Sequence, residues 1–197
     1  TKSAAFTKDE FEDRTGKSRE ILQRISGQKV NGYRAPGAYI GEWMFDSLIN
    51  LGFDYDSSVN PNSFIKKTDF NLKPISSVPY KIKSTISDKE ILELPWPYFN
   101  FFGFRFPTAG GPFLRFMPSY YIKQGLSASQ KRGHTVFYFH STDLSYEKLP
   151  ALASKNSKRP FWYITSGKKT ESKMLKILDS YKESWATCGE IAELLNQ

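Results

Sequence analysis

The sequence predicts an α/β protein with mostly parallel strands. Three observations predict it. Helix-like and strand-like patterns alternate at short spacing through the first sixty residues. Arg34 and Asp56 each follow a short strand-like run, where α/β folds collect their functional groups. A third apolar run, Val136 to Phe139, ends on His140 in the same way.

The elements can be justified in order. "FTKDEFEDRTGKSREILQRISG" reads as a helix with its start signals written out. Thr7 is the N-cap, Glu10 completes a capping box, and Phe6 and Phe11 are placed as a hydrophobic staple. Phe11, Ser18, Ile21, Leu22 and Ile25 define one face, and Gly27 stops the helix. "KVNGYRA" reads as a short strand, "GEWMFDSLINLG" as a second helix closed by Gly52, and "FDYDSSV" as a second strand. From about 60 to 120 the rhythm breaks. This stretch holds most of the prolines and an aromatic cluster, and reads as a long, irregular but ordered insertion shaping one wall of a groove. Gly110-Gly111 lacks the strand and helix flanks of a phosphate-binding loop. "HTVFYFH" follows as a buried strand, with His134 at the opposite end from His140. "TESKMLKILDSYKESW" reads as an amphipathic helix with Met174, Leu175, Leu178 and Tyr181 on its apolar side. Thr187 and Glu190 form another capping box ahead of "IAELL".

No linker or internal repeat interrupts the 197 residues, so 1–197 reads as one domain. At 39% hydrophobic and 16% aromatic, it can bury a core of its own. The net charge of +8 favours anionic partners, but the lysines are spread out, and a solvated basic surface is the preferred reading. A single cysteine, Cys188, excludes an intrachain disulfide and a Cys-rich metal site. No apolar run reaches membrane-spanning length, and the N-terminus does not read as a signal peptide. A start without Met is expected of a mature or cut product.

Five segments then stand in order: "GYRAPGAYI", "LGFDYDSSV", "ELPW", "PTAGGPFLRFMP" and "TVFYFHSTDL". This ordered set resembles polysaccharide deacetylases of the NodB-homology class, in the branch associated with bacterial exopolysaccharide loci. The resemblance implies a partial distorted (β/α) barrel of the polysaccharide deacetylase type. It also implies metal-dependent hydrolysis of N-acetyl groups on a bacterial glycan. A divalent metal, usually zinc, would polarise the acetamide and activate a water. An aspartate would act as base, and a late-strand histidine would protonate the leaving amine.

On this resemblance Arg34 orients the catalytic base, and Pro36 shapes the groove beside it. His140 is the leaving-group acid, and Phe139 sits by the pocket for the acetyl methyl. Asp56 is the best match to the carboxylate that tunes His140. Trp96 and Arg115, from the aromatic insertion, complete the substrate-binding set. Where many relatives have Pro-Trp-Glu after this histidine, the chain has Ser141-Thr142-Asp143. The family's base-bearing Thr-Phe-Asp-Asp element and its His-x-x-x-His element are both missing, so no metal ligands are expected here. The chain reads as the C-terminal part of a deacetylase, inactive alone. Its expected partners are a glycan with N-acetylated sugars and the missing N-terminal half, with no nucleic acid and no membrane span. Localisation stays open between bacterial cytoplasm and periplasm. Two other classes stay open. One is a non-catalytic carbohydrate-binding protein of this fold. The other is a basic nucleic-acid-binding module, which would need basic and aromatic residues interleaved on one face.

Overall fold

The computed structural model describes residues 7–64, 66–108, 110–145 and 167–197. Phe6, half of the expected staple, lies outside them.

Helix α1 (Lys8–Ser26) begins and ends where its sequence dictates. The Thr7 hydroxyl accepts the Glu10 N–H at 3.2 Å, and the Glu10 carboxylate accepts the Thr7 N–H at 3.0 Å. Gly27, at φ +67°, donates its N–H to the Gln23 carbonyl and closes the helix. The expected apolar face is not covered, however. Phe11 is buried edge-on to Tyr33 and Trp43, while Ile21, Leu22 and Ile25 are exposed. Arg19 does the fastening instead. Its guanidinium donates to the carbonyls of Val30, Leu51 and Gly52.

The main sheet is built on strands β1 (Gly32–Tyr33), β2 (Tyr55–Asp56), β3 (Tyr80–Lys83) and β4 (Glu90–Glu93). Its order is β1-β2-β4-β3; the first three are parallel, and β3 pairs antiparallel to β4. The sheet has edges at β1 and β3, so these strands alone do not form the barrel that the resemblance implies. Helix α2 (Glu42–Asn50) presents Met44, Phe45, Leu48 and Ile49 to a core shared with Ile40, Phe53 and Ile91. The pattern i, i+1, i+4, i+5 places all four on one helix face.

The stretch from 60 to 120 is more regular than its composition predicts. It supplies β3 and β4, and β4 is a central strand of the sheet. It also forms a hairpin of β5 (Tyr98–Phe101) and β6 (Phe104–Pro107) and helix α3 (Gly111–Phe116), and it runs into the start of α4 (Ser119–Gln130). Ser129 of α4 ties down the hairpin base. Its hydroxyl accepts the Tyr98 N–H at 3.1 Å and donates to the Tyr98 carbonyl at 3.0 Å.

Two expected elements need correction. Residues 136–139 are not a strand: β4 is already flanked by β2 and β3, so the run finds no partner there among the described residues. Val136 is buried against Leu92, Leu94 and Ala192 nonetheless, the last from α7 (Cys188–Asn196). Helix α6 (Lys168–Ser180) is amphipathic as expected, but Ile177 is fully buried where Leu175 is exposed. Between 136–139 and α6 lies α5 (Ser141–Leu144), a single turn. The Thr187–Glu190 capping box opens α7.

The hairpin tip carries one strained residue. Phe101 pairs with Phe104, leaving Phe102 and Gly103 as a two-residue turn with φ +47° and +80°. Both values are positive, as a type I′ turn requires, and Asn-Gly is the sequence that fits it best. Phe102 is 87% exposed, so its ring gains little from burial. Replacing Phe102 by Asn is therefore expected to stabilise the fold by about 1 kcal/mol, read as a higher urea midpoint at unchanged slope.

Candidate active site

The site grows from the end of β2. Asp56 is followed by Ser57 and Ser58, and their backbone and hydroxyls gather the neighbouring side chains. The Ser57 carbonyl accepts Arg34 Nε–H at 2.8 Å and Trp96 Nε1–H at 2.9 Å. The Ser57 hydroxyl accepts Arg34 Nη2–H at 2.7 Å and donates to the Leu94 carbonyl at 2.7 Å. Arg34 Cζ thereby lies over two aromatic rings, 5.7 Å from the Trp96 centroid and 5.2 Å from the Tyr138 centroid. Trp96 and Tyr138 are themselves in contact, with ring centroids 4.1 Å apart.

Tyr138 carries the cluster to His140, whose ring lies edge-on at 5.6 Å. The close approach of Gly110 makes this possible. A Cβ on Gly110 would sit 1.9 Å from the Tyr138 ring, and its φ of +77° also favours glycine. The "GG" of the sequence is thus a seat for an aromatic ring. It also brings the start of α3 beside His140, where a Cβ on Gly111 would lie 3.8 Å from the imidazole.

His140 itself is exposed, its side chain at 61%, and it stands on a fully buried carboxylate. Asp143 Oδ2 lies 3.5 Å from His140 Nδ1 and accepts the His140 backbone N–H at 2.8 Å. Its Oδ1 lies 3.1 Å from Nε of Arg115, whose side chain is 5% exposed. Arg115–Asp143–His140 is therefore a chain running from a buried fixed cation to a solvent-facing imidazole. With Nδ1 turned to the carboxylate, Nε2 is the nitrogen left to exchange a proton.

The sequence-predicted residues are placed as follows. Arg34, Trp96 and His140 come together through Tyr138, which sequence reasoning left unmarked. Pro36 and Phe139 are exposed nearby in the chain. Arg115 does not line a groove: it is 8% exposed and paired with Asp143. The carboxylate at His140 is Asp143, not Asp56. Asp56 is fully buried and accepts from the Ser58 N–H and hydroxyl at 3.0 and 2.7 Å. Its neighbour in register is Glu93, equally buried and likewise overlooked. Glu93 stood in the quoted "ELPW", and a carboxylate beside Asp56 in parallel register was its only signal.

A family model described as a domain of unknown function, DUF3473, matches residues 57–193. The chain belongs to the DUF3473 family. Comparison with curated proteins gives no match. The DUF3473 chain is similar in structure to the crystal structure of a candidate polysaccharide deacetylase from Mycobacterium smegmatis, with a TM-score of 0.60 at 17% identity. The similarity covers 98% of this chain and 58% of that one. It shows a deacetylase-like α/β fold. The DUF3473 chain spans less than two thirds of that relative's length.

The residues in hand do not fit the divalent metal that the resemblance implies. Among the described residues, no three His, Cys, Asp or Glu side chains are placed to hold one ion. Near His140 the available carboxylate faces Arg115, and the Asp56–Glu93 pair is occupied by backbone donors. Among the described residues there is also no helix long and apolar enough to cross a membrane.

The Arg115–Asp143 pair makes a stability prediction. Breaking a buried pair from one side costs about 3–5 kcal/mol, because the remaining charge loses its partner in a dry site. Asp143→Ala should lower the unfolding free energy by about that amount, measured by urea denaturation. Adding Arg115→Ala to it should cost far less than it costs alone, since the pair acts as a unit.

Proposed function

We propose that this chain supplies the proton-donating side of a polysaccharide de-N-acetylase, a hydrolase of amide C–N bonds. The observation that carries the reading is the exposed His140 held on the buried Asp143–Arg115 pair, next to Arg34, Tyr138 and Trp96. The deacetylase-like fold supports the same reaction class.

In this reading the substrate is a glycan with N-acetylated sugars. Hydrolysis forms a tetrahedral centre and then breaks its C–N bond. The departing nitrogen must gain a proton, because an amide anion is too poor a leaving group. His140 delivers that proton from Nε2, while Asp143 fixes the ring through Nδ1 and the backbone N–H. Arg34 has Nε and Nη2 committed to Ser57, which leaves Nη1 to orient a carboxylate or an acyl oxygen. Pro36 and Phe139 border the substrate groove. Residues that hold a metal and a base would come from outside the described set, as a preceding part of the same protein or as a second chain.

The test uses the complete protein with an N-acetylated oligosaccharide. His140→Ala should lower kcat by roughly 10²–10⁴-fold while leaving KM nearly unchanged, since a general acid acts mainly in the transition state. Asp143→Asn should lower kcat with a smaller loss than His140→Ala. Release of acetate unaffected by His140→Ala would overturn the reading.

A further inference from the structure

The register of the parallel sheet puts four titratable side chains in one row across it: Tyr33, Asp56, Glu93 and Tyr80. The middle two are carboxyl groups on adjacent strands, each with no exposed surface. Asp56 accepts two hydrogen bonds from Ser58. Glu93 Oε1 accepts the Val59 N–H at 3.0 Å, and Oε2 is buried with, among the described residues, no donor other than the facing Asp56 carboxyl.

Two ionised carboxylates are acceptors only, and side by side in a dry site they cannot both keep their charge. One proton between them converts one oxygen into a donor and satisfies the otherwise orphaned atom. The surroundings favour that state. Burial raises the pKa of both groups, and the Asp56 charge raises Glu93 further. The groups that face the pair from neighbouring elements are the Tyr33 and Tyr80 phenols and the Arg34 guanidinium. Burial and the acid pair push both phenols upward, so they stay neutral. The Val59 N–H and the Arg34 guanidinium favour ionisation of Glu93, and both act against the larger burial effect.

We propose that Asp56 and Glu93 form a proton-sharing pair that positions Arg34 and Trp96 by clamping the β2 exit loop. The loop is short and every link is a hydrogen bond. Asp56 holds Ser58, and Glu93 holds Val59. Between the strand and those anchors, Ser57 presents the carbonyl and hydroxyl on which Arg34 and Trp96 hang. The Ser58 hydroxyl also accepts the Ala35 N–H at 2.7 Å, tying the loop to the residue after Arg34. A second negative charge would push the two anchors apart, and the loop between them would loosen. The pair is thus a positioning device, and neither carboxyl needs to reach a substrate. The inference concerns the geometry around Arg34 and stands whether or not the site turns over a glycan.

The test is by NMR on the full chain, with no activity assay. The Glu93 side-chain carboxyl carbon, assigned by its loss in Glu93→Gln, should stay in the protonated range well above the ordinary value of 4.5. The Arg34 Nε–H and Trp96 Nε1–H signals should be protected from exchange until Glu93 ionises, and lose protection with it. The stability of the wild type should follow. A carboxyl raised on folding stabilises below its unfolded pKa, and that contribution is lost as pH rises toward the folded value. Glu93→Gln keeps a neutral donor, so it should keep both protected signals and abolish this pH dependence. Glu93→Ala should lose the signals while α1 and α2 remain folded. A Glu93 carbon that titrates with the exposed glutamates overturns the proposal. So do Arg34 and Trp96 signals that stay protected through the Glu93 titration, or a pH dependence unchanged in Glu93→Gln. Should Glu93→Ala fail to fold, the wild-type titration and Glu93→Gln still decide.

Discussion

The parallel register of β1, β2 and β4 is the constraint on which the strand-end cluster depends. β1 and β2 are two residues long, too short for ladder bonds alone to hold a sheet. Side chains extend the pairing beyond the strands. Ser57 donates to the Leu94 carbonyl, Val59 donates to Glu93, and Trp96 donates from both its backbone and its indole to the Val59 and Ser57 carbonyls. Each bond satisfies a backbone group that would otherwise be buried without a partner. The geometry of Arg34 is therefore a consequence of how the sheet is finished.

The second half of the cluster is assembled by different means. α3 and α5 bring Arg115 and Asp143 together, and Lys173 of α6 locks the arrangement by donating to the carbonyls of Leu114, Arg115 and Met117 at the end of α3. A cation at a helix C-terminus is favourable both for its hydrogen bonds and for the helix dipole. The halves meet at Tyr138, whose ring sits against Gly110, Trp96, Arg34 and His140. That one ring transmits the position of the sheet ends to the imidazole.

Much of this was legible in the residues, and the failures have physical causes. Capping boxes at Thr7 and Thr187 are local, since three residues decide them, and both form as read. The strand ends after Tyr33 and Asp56 were legible because short apolar runs alternated with helices. β4 was hidden because prolines at 95 and 97 follow it at once, and the aromatic density nearby suggested a loop. Arg115 and Asp143 lie 28 positions apart in the sequence, so nothing local announces their pairing. The same holds for Asp56 and Glu93: only strand order makes them neighbours. Ile21, Leu22 and Ile25 show the converse error, in which a correct helical period was taken to guarantee a buried face.

The two buried acid systems solve one problem in opposite ways, and the difference bears on what each can do. Desolvation penalises any buried carboxylate, which must be neutralised by a cation or by a proton. Asp143 has the cation, in the buried Arg115 guanidinium 3.1 Å away. Its hold on His140 rests on an ion pair built into the fold. Asp56 and Glu93 have only the proton, with Arg34 present but already shared with Ser57. Their hold on the β2 loop is conditional. In the proposed reaction the imidazole gives up and regains a proton, and the first kind of support suits it, because its orientation has to survive the exchange. A guanidinium whose charge never changes can be positioned by the second kind, and its placement, not its charge, becomes the variable that acidity controls.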